Sequence, residues 1–340
     1  MEKVIDSPFA DGNAVLKRKL KKMSFRKEEF EVYDLFYKCE ITGKEFSTSE
    51  TGDIVLRQLY NQYREKNNIL FPEQIKEFRE KYGLSSLKMS SVLGFGPNIY
   101  KSYEKGDIPN KSNSTLLNIA KDPKQFYEIA LNSKQLSDAE LGKLKDITDK
   151  LKKEDFIFQI EKYLKINSDE ISQYTGYVKR NFDKFANMVL FFINDGRTFT
   201  TRLNKYLFYS DFICYRNTGY SMSGYPYSAI ERGPVPDDYK SLFFKLWETD
   251  IIRTKEVTID GKSFEQFVPA KEFDKKLFNK TEILILNYVY DNLKYNKTKD
   301  IIEQSHFEKG WIENEEGKDD ISYQKYAFDL NIFFTAKNII

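Results

Sequence analysis

The stretch GLSSLKMSSVLGFGPNIYKSYEKGDIP, residues 83–109, constrains the fold more than any other part of the chain. Gly83 ends one helix, Ser85 can cap the next, and Gly94 closes it beyond Leu93. Pro97 suits the first turn of a further short helix that ends near Gly106. Two short helices separated by a turn of about four residues, containing Gly94 and Gly96, have helix-turn-helix spacing. Met89, Val92 and Leu93 face inward from the first helix, and Tyr100 and Tyr103 from the second. That leaves Asn98, Ile99, Lys101, Ser102 and Lys105 pointing outward, with Ser86 and Gly96 near the two helix starts. Asn can pair the edge of adenine, Ile can touch a thymine methyl, and Lys and Ser can hold phosphate. These seven residues are the candidate DNA-facing set. The plainer reading is a helical hairpin with a solvated polar face, and the local basic excess is weak.

Elsewhere the pattern is mainly helical with a small β-rich start. Val15–Leu20 and Phe30–Tyr37 are β-branched or aromatic runs with partial alternation. From Asp53, Leu56, Leu59, Tyr60 and Tyr63 mark one helix face. Helices are expected from Pro72, from Ser112, and over an amphipathic stretch from Phe126 to Leu151. Further helices are expected over 183–194, 200–216, 236–248 and 282–293, with a loop from Gly219 to Pro236. Two strands, IIRTKEVTI and KSFEQFV, flank an Asp260-Gly261 turn. The expected organisation is a β module over 1–52, a helix-turn-helix region over 53–152, a connector over 153–179 and a mostly helical domain with a small β-hairpin over 180–340.

Composition narrows the chemistry. The chain has 340 residues, 31% charged but 16% aromatic, so it carries rings enough for a packed core. A net charge of +2 favours no partner class. Cys39 and Cys214 are the two cysteines, which excludes a disulfide scaffold or a cysteine-built metal site and fits a reducing cytoplasm. The first residues show no signal-peptide core, and the longest apolar run, Met188–Ile193, is far too short for a membrane span. His306 is the single histidine, which removes catalytic triads and His-rich metal centres. No phosphate-cradling loop is present. An enzyme would need a carboxylate or lysine site, for instance around Lys205, Asp211 and Glu231. Neither an enzymatic activity nor a cofactor nor a metal is expected.

On the helix over 200–216, Leu203, Leu207, Phe208 and Ile213 read as core, while Lys205, Tyr209 and Asp211 are polar. Arg232-Gly233-Pro234-Val235-Pro236 reads as a stiff loop, suited to an interface because little entropy is lost on docking. Alternatively, Arg232 pairs with Asp211 or another carboxylate inside the domain. His306 and Trp311 read as packed residues, and Glu313–Asp320 as a solvated acidic loop.

Two resemblances add to this. Residues 83–106, with SYEKG, are similar to the Xre/Cro-type helix-turn-helix. SPFADG, FYKCEITGKEF, YNQYREK, REKYGL and EKGDIPNKSNSTLLNIAKDPKQF resemble the MqsA (YgiT-type) antitoxins, in which a small zinc module precedes a helix-turn-helix. That family places two C-x-x-C pairs in the module. Here Thr42 and Ala10 stand where cysteines are expected, so a module that has lost its metal is implied, with Cys39 a small buried apolar residue. RLNKYLFYSDFICYRNTGYSMSGYPYSAIERGPVPDDY followed by SHFEKGW is similar to the SocA-like antitoxin domain, also called Panacea. That resemblance implies a toxin-neutralising domain, whose candidate contacts are Lys205, Tyr209, Asp211, Tyr225, Arg232, Pro234, Pro236 and Trp311.

The expected function is therefore a cytoplasmic antitoxin that binds a cognate toxin and autorepresses by binding operator DNA as a homodimer. Alarmone-synthetase-like enzymes are among the toxin classes the resemblance implies. The alternatives are a ligand-responsive transcriptional regulator, or an adaptor for toxin proteolysis.

Overall fold

The computed structural model describes residues 4–163, 170–196, 198–259 and 262–331. The chain divides into two compact units. One combines Met1–Leu59 with Ile166–Ile340, and the other is Tyr60–Lys165. The N-terminal strands thus group with the C-terminal half rather than with the helices that directly follow them. Residues 164–169 of the expected connector, and the Asp260-Gly261 turn, lie outside the described residues.

In the first unit, β1 (Val4–Asp6), β2 (Asn13–Phe25), β3 (Glu28–Cys39) and β4 (Glu45–Phe46) form an antiparallel sheet in that order. The long β2–β3 ribbon is closed by Arg26 and Lys27, both with positive φ, which matches the twist of a two-residue hairpin. Helix α1 (Ser49–Lys66) follows. Gln58 of α1 is buried and serves the ribbon. It accepts from Tyr33 N at 2.9 Å and donates to Tyr33 O at 3.0 Å. Tyr33 in turn stacks on Phe328, with centroids 4.8 Å apart, and donates to Asp329 at 3.0 Å. Gln58 also accepts from Gln324 Nε2 at 3.2 Å. These bonds stitch the first sixty residues to the last described ones.

The second unit holds α2 (Pro72–Lys81), α3 (Ser86–Val92), α4 (Ile99–Glu104), α5 (Lys111–Ala120), α6 (Pro123–Ser133) and α7 (Asp138–Tyr163). Their starts follow local chemistry. Ser85 accepts from Lys88 N, Asn110 from Asn113 N and Asp122 from Gln125 N, each three residues on. Pro72 and Pro123 occupy first-turn positions. Ile75, Phe78, Tyr82, Met89, Val92, Tyr100, Leu117 and Phe126 make the core.

The first unit continues with α8 (Phe182–Ile193) and α9 (Thr200–Thr218). The expected loop from Gly219 to Pro236 instead contains a ribbon, β5 (Tyr227–Ile230) with β6 (Gly233–Pro236), turning at Glu231-Arg232. Its prolines hid it, because each removes a ladder donor. Then come α10 (Tyr239–Glu248), β7 (Ile252–Ile259) paired with β8 (Lys262–Pro269), α11 (Lys280–Leu293), α12 (Thr298–His306), α13 (Lys309–Ile312) and α14 (Tyr323–Tyr326). Helix α9 is the axis of this half. Every residue from Leu203 to Tyr215 is buried, so it is a core helix on all faces rather than an amphipathic one.

Candidate functional site

A helix buried on all faces must satisfy its polar side chains internally. Asp211 does so most fully. Its carboxylate accepts from Met222 N at 2.8 Å, Ser223 N at 2.7 Å, Ser223 Oγ at 2.6 Å and Tyr227 Oη at 2.8 Å. It therefore ties the segment after α9 and the ribbon β5–β6 to the helix. Burial pushes its pKa up, and these four donors pull against that. Arg232 is not among its partners; it is exposed at the ribbon turn. The internal Arg232–Asp211 pair is thus replaced by a hydrogen-bonded carboxylate.

Lys205 lies six residues earlier on α9 and is also buried. Its Nζ donates to Pro234 O at 2.8 Å, and burial holds its pKa well below the usual lysine range. Gly233, at φ +87°, sits directly on this pair. A Cβ there would collide with Ser305 Oγ and stand 2.7 Å from Lys205 Nζ. One turn on from Lys205, Tyr209 Oη donates to Glu308 Oε1 at 3.1 Å, and Asn331 N donates to the other Glu308 oxygen at 2.9 Å. Burial pushes the Glu308 carboxyl up to about 7 against these two bonds. Trp311 Nε1 donates to Ile230 O at 2.8 Å, and His306 stacks on the indole with centroids 3.9 Å apart. Among the described residues His306 Nε2 is buried without a hydrogen-bond partner, and burial lowers the ring's pKa.

Within the second unit, Arg79 of α2 holds Glu104 of α4 at 2.6 Å, Tyr100 Oη donates to Ile75 O at 2.7 Å, and Tyr100 N donates to Ser90 Oγ at 3.0 Å. These contacts fix α4 against α2 and α3. The linker between α3 and α4 spans residues 93–98, longer than the expected turn. Gly94 takes φ +69°, and Ile99 N turns back to Gly96 O, so Pro97 and Asn98 stay outside the helix. Gly96, Asn98, Ile99, Lys101 and Lys105 are exposed, Ser86 and Ser102 partly so, and Tyr100 and Tyr103 are buried. The side chains expected to face outward do so.

At the sheet end, Cys39 is buried but not inertly apolar. Thr42 N points at its Sγ at 3.4 Å, and a hydrogen bond with the Ser7 side chain, then bonds from Thr42 and Ile41, pull the thiol down to about 7. Phe9 N donates to Ser7 Oγ at 3.2 Å, so Ser7 anchors a second tight turn beside the first. With one thiol and hydroxyls around it, this corner does not fit a zinc ion. Among the described residues no group of three or more His, Cys, Asp or Glu could hold a metal.

The stretch that carries α9, the ribbon β5–β6 and the His306–Trp311 stack has a known relative. Residues 203–312 match the family model Antitoxin SocA-like, Panacea domain. The match suggests an antitoxin role. No curated protein and no solved structure matches the chain.

Of the toxin-contact candidates, Lys205, Tyr209, Asp211, Tyr225, Pro234, Pro236 and Trp311 are buried within this unit. Arg232 alone stands at the surface. The buried set shapes the interior of the stretch that matches the family model rather than lining its exterior. Two exposed side chains went unnoticed in the sequence. Phe244 (60% exposed) and Trp247 (52%) lie side by side on α10, with centroids 5.8 Å apart. Their signal was present. Leu242, Phe243 and Leu246 make the buried stripe of α10, and Phe244 and Trp247 fall three apart on the opposite side. Among the described residues no helix is long and apolar enough to cross a membrane.

Proposed function

We propose that the protein is an antitoxin that neutralises a cognate toxin by direct binding through its Panacea domain, and that the second unit binds operator DNA to repress its own synthesis. The observation that carries this is the match over residues 203–312. Phe244, Trp247 and Arg232 are the proposed toxin contacts. Exposed aromatics and arginine dominate binding energy when a partner covers them, and a pair already in mutual contact loses little side-chain freedom on docking. Asp211 and Lys205 act behind Arg232 by holding the ribbon β5–β6 against α9. Neutralisation on this reading is steric and needs no chemistry from the antitoxin.

For DNA, Asn98, Ile99, Lys101, Ser102 and Lys105 on and before α4, with Ser86 and Gly96, form the proposed contact set. Their exposure, beside the burial of Tyr100 and Tyr103, supports the reading. A homodimer on a palindrome is the expected arrangement.

The test is a tagged pull-down from native cells with two variants. One stoichiometric small protein, lethal alone and harmless beside this chain, is the expected result. Phe244→Ala with Trp247→Ala should lose that partner and keep DNA binding. Asn98→Ala with Lys101→Ala should do the reverse. A wild-type chain that recovers no lethal partner overturns the antitoxin reading.

A further inference from the structure

An open cleft of about 290 Å³ lies at the C-terminal end of α8, lined by Phe191, Asn194, Asp195, Phe273, Asn287 and Tyr290. Three of its walls are aromatic. Phe191 meets Phe273 edge-on, with centroids 5.4 Å apart and planes at 65°, and meets Tyr290 at 6.4 Å and 81°. The rings therefore stand across one another as the sides of a box rather than as a flat stack.

Of the lining side chains, Asp195 carries the charge. Asp195 supplies a carboxylate, oriented by Tyr290 Oη at 2.9 Å. Asn287 donates one Nδ2 hydrogen to Ile283 O at 2.8 Å and keeps its amide oxygen as an acceptor. Asn194 is the C-cap of α8, whose dipole presents partial negative charge at this end. Ring faces are negative as well, and the structure already uses one of them so. Lys294 Nζ, tethered to Asp291 at 2.6 Å, lies 5.1 Å from the Tyr290 centroid. An open cleft with aromatic sides, a carboxylate in its lining and a helix C-terminus beside it suits a cation that carries its own hydrocarbon.

We propose that this cleft is a binding site for an alkylammonium group. The ring faces take the methyl or methylene shell, and Asp195 takes the charge.

The test uses the full-length protein and three probes at matched ionic strength: tetramethylammonium, butylammonium, and the neutral isostere 2,2-dimethylpropanol. Calorimetric titration should give saturable binding of at least one cation, at least ten-fold tighter than the alcohol. A preference for tetramethylammonium identifies a quaternary small molecule as the source. A preference for butylammonium identifies a primary amine of the lysine type. Asp195→Asn should weaken the cation several-fold and leave the alcohol unchanged. Phe273→Leu should weaken it two- to ten-fold, and Phe273→Tyr should restore it. Unfolding temperatures of the variants show that each is folded, and the Asp195→Asn arm removes no ring from the walls. Equal binding of cation and alcohol, no binding of any cation, or cation binding that survives both Asp195→Asn and Phe273→Leu overturns the proposal.

Discussion

Asp211 shows what one side chain can organise. Its two oxygens receive two backbone N–H groups and two hydroxyls, and no water reaches them. Asp211→Asn would turn one acceptor into a donor facing those N–H groups. We expect a loss of roughly 2–4 kcal/mol, read as a lower unfolding temperature. Glu308 gives a pH dependence. Its folded pKa, about 7, lies above the ordinary glutamate value, so the folded chain holds a proton that the unfolded chain has already released. The contribution is complete below about pH 4.3. It is lost as pH rises toward about 7, and flat beyond. Denaturant titrations across that window should show stability falling with pH, and Glu308→Gln should flatten the slope. These roles were only half legible. The sequence marks Lys205, Tyr209 and Asp211 as polar residues on a helix, but polarity does not say whether water or the protein satisfies them.

At the scale of elements, local rules carried further. Pro72 and Ser85 start helices where the sequence expects them, and the three-residue step from Tyr100 to Tyr103 separates the inner from the outer face of α4, whereas the stretch expected from Phe126 to Leu151 divides into α6 and α7 at Lys134, which takes a left-handed conformation. The ribbon β5–β6 was invisible, because four-residue strands with prolines at 234 and 236 lack both length and donors. What fixes it is tertiary. Gly233, with its positive φ, lies against Lys205 and Ser305 where no side chain fits. Gly233→Ala should therefore cost more than the roughly 1 kcal/mol of backbone strain alone, because the ribbon must also lift from α9. Chemical denaturation of wild type and variant, with a faster loss of protection at the Tyr227–Pro236 amides in hydrogen exchange, is the check. An unchanged exchange pattern would mean that the ribbon is held from elsewhere.

For the whole molecule, the two units divide the chain in a way that periodicity does not report. Residues Tyr60–Lys165 have their own core, built from α2 to α7. Excised, they should give helical circular dichroism and a cooperative thermal transition. A fragment beginning at residue 166 should not, because it lacks Tyr33 against Phe328, Gln58 against Gln324, and Arg57, which donates to Thr218 O at 2.9 Å. Adding residues 1–59 back as a separate peptide should restore folding in part. A cooperative transition in the unaided C-terminal fragment would show the strands to be an accessory. No sequence window could have forecast this pairing, since its partners lie nearly three hundred residues apart.

The discontinuous unit also sets an order of events on the ribosome. The β2–β3 ribbon is made first, but Phe328 and Gln324, which cover it, are made last. At ~5–20 residues per second, synthesis of Tyr60–Lys165 alone keeps the strands waiting roughly 5–20 s. Once those residues are made, and while the C-terminal residues are still being added, the second unit can close, and Tyr33 and the apolar side of the ribbon stay open to proteases and chaperones. A newborn chain of this protein is thus finished at its middle before it is finished at its beginning, and a stalled or truncated one carries a complete central unit beside an uncovered N-terminal sheet.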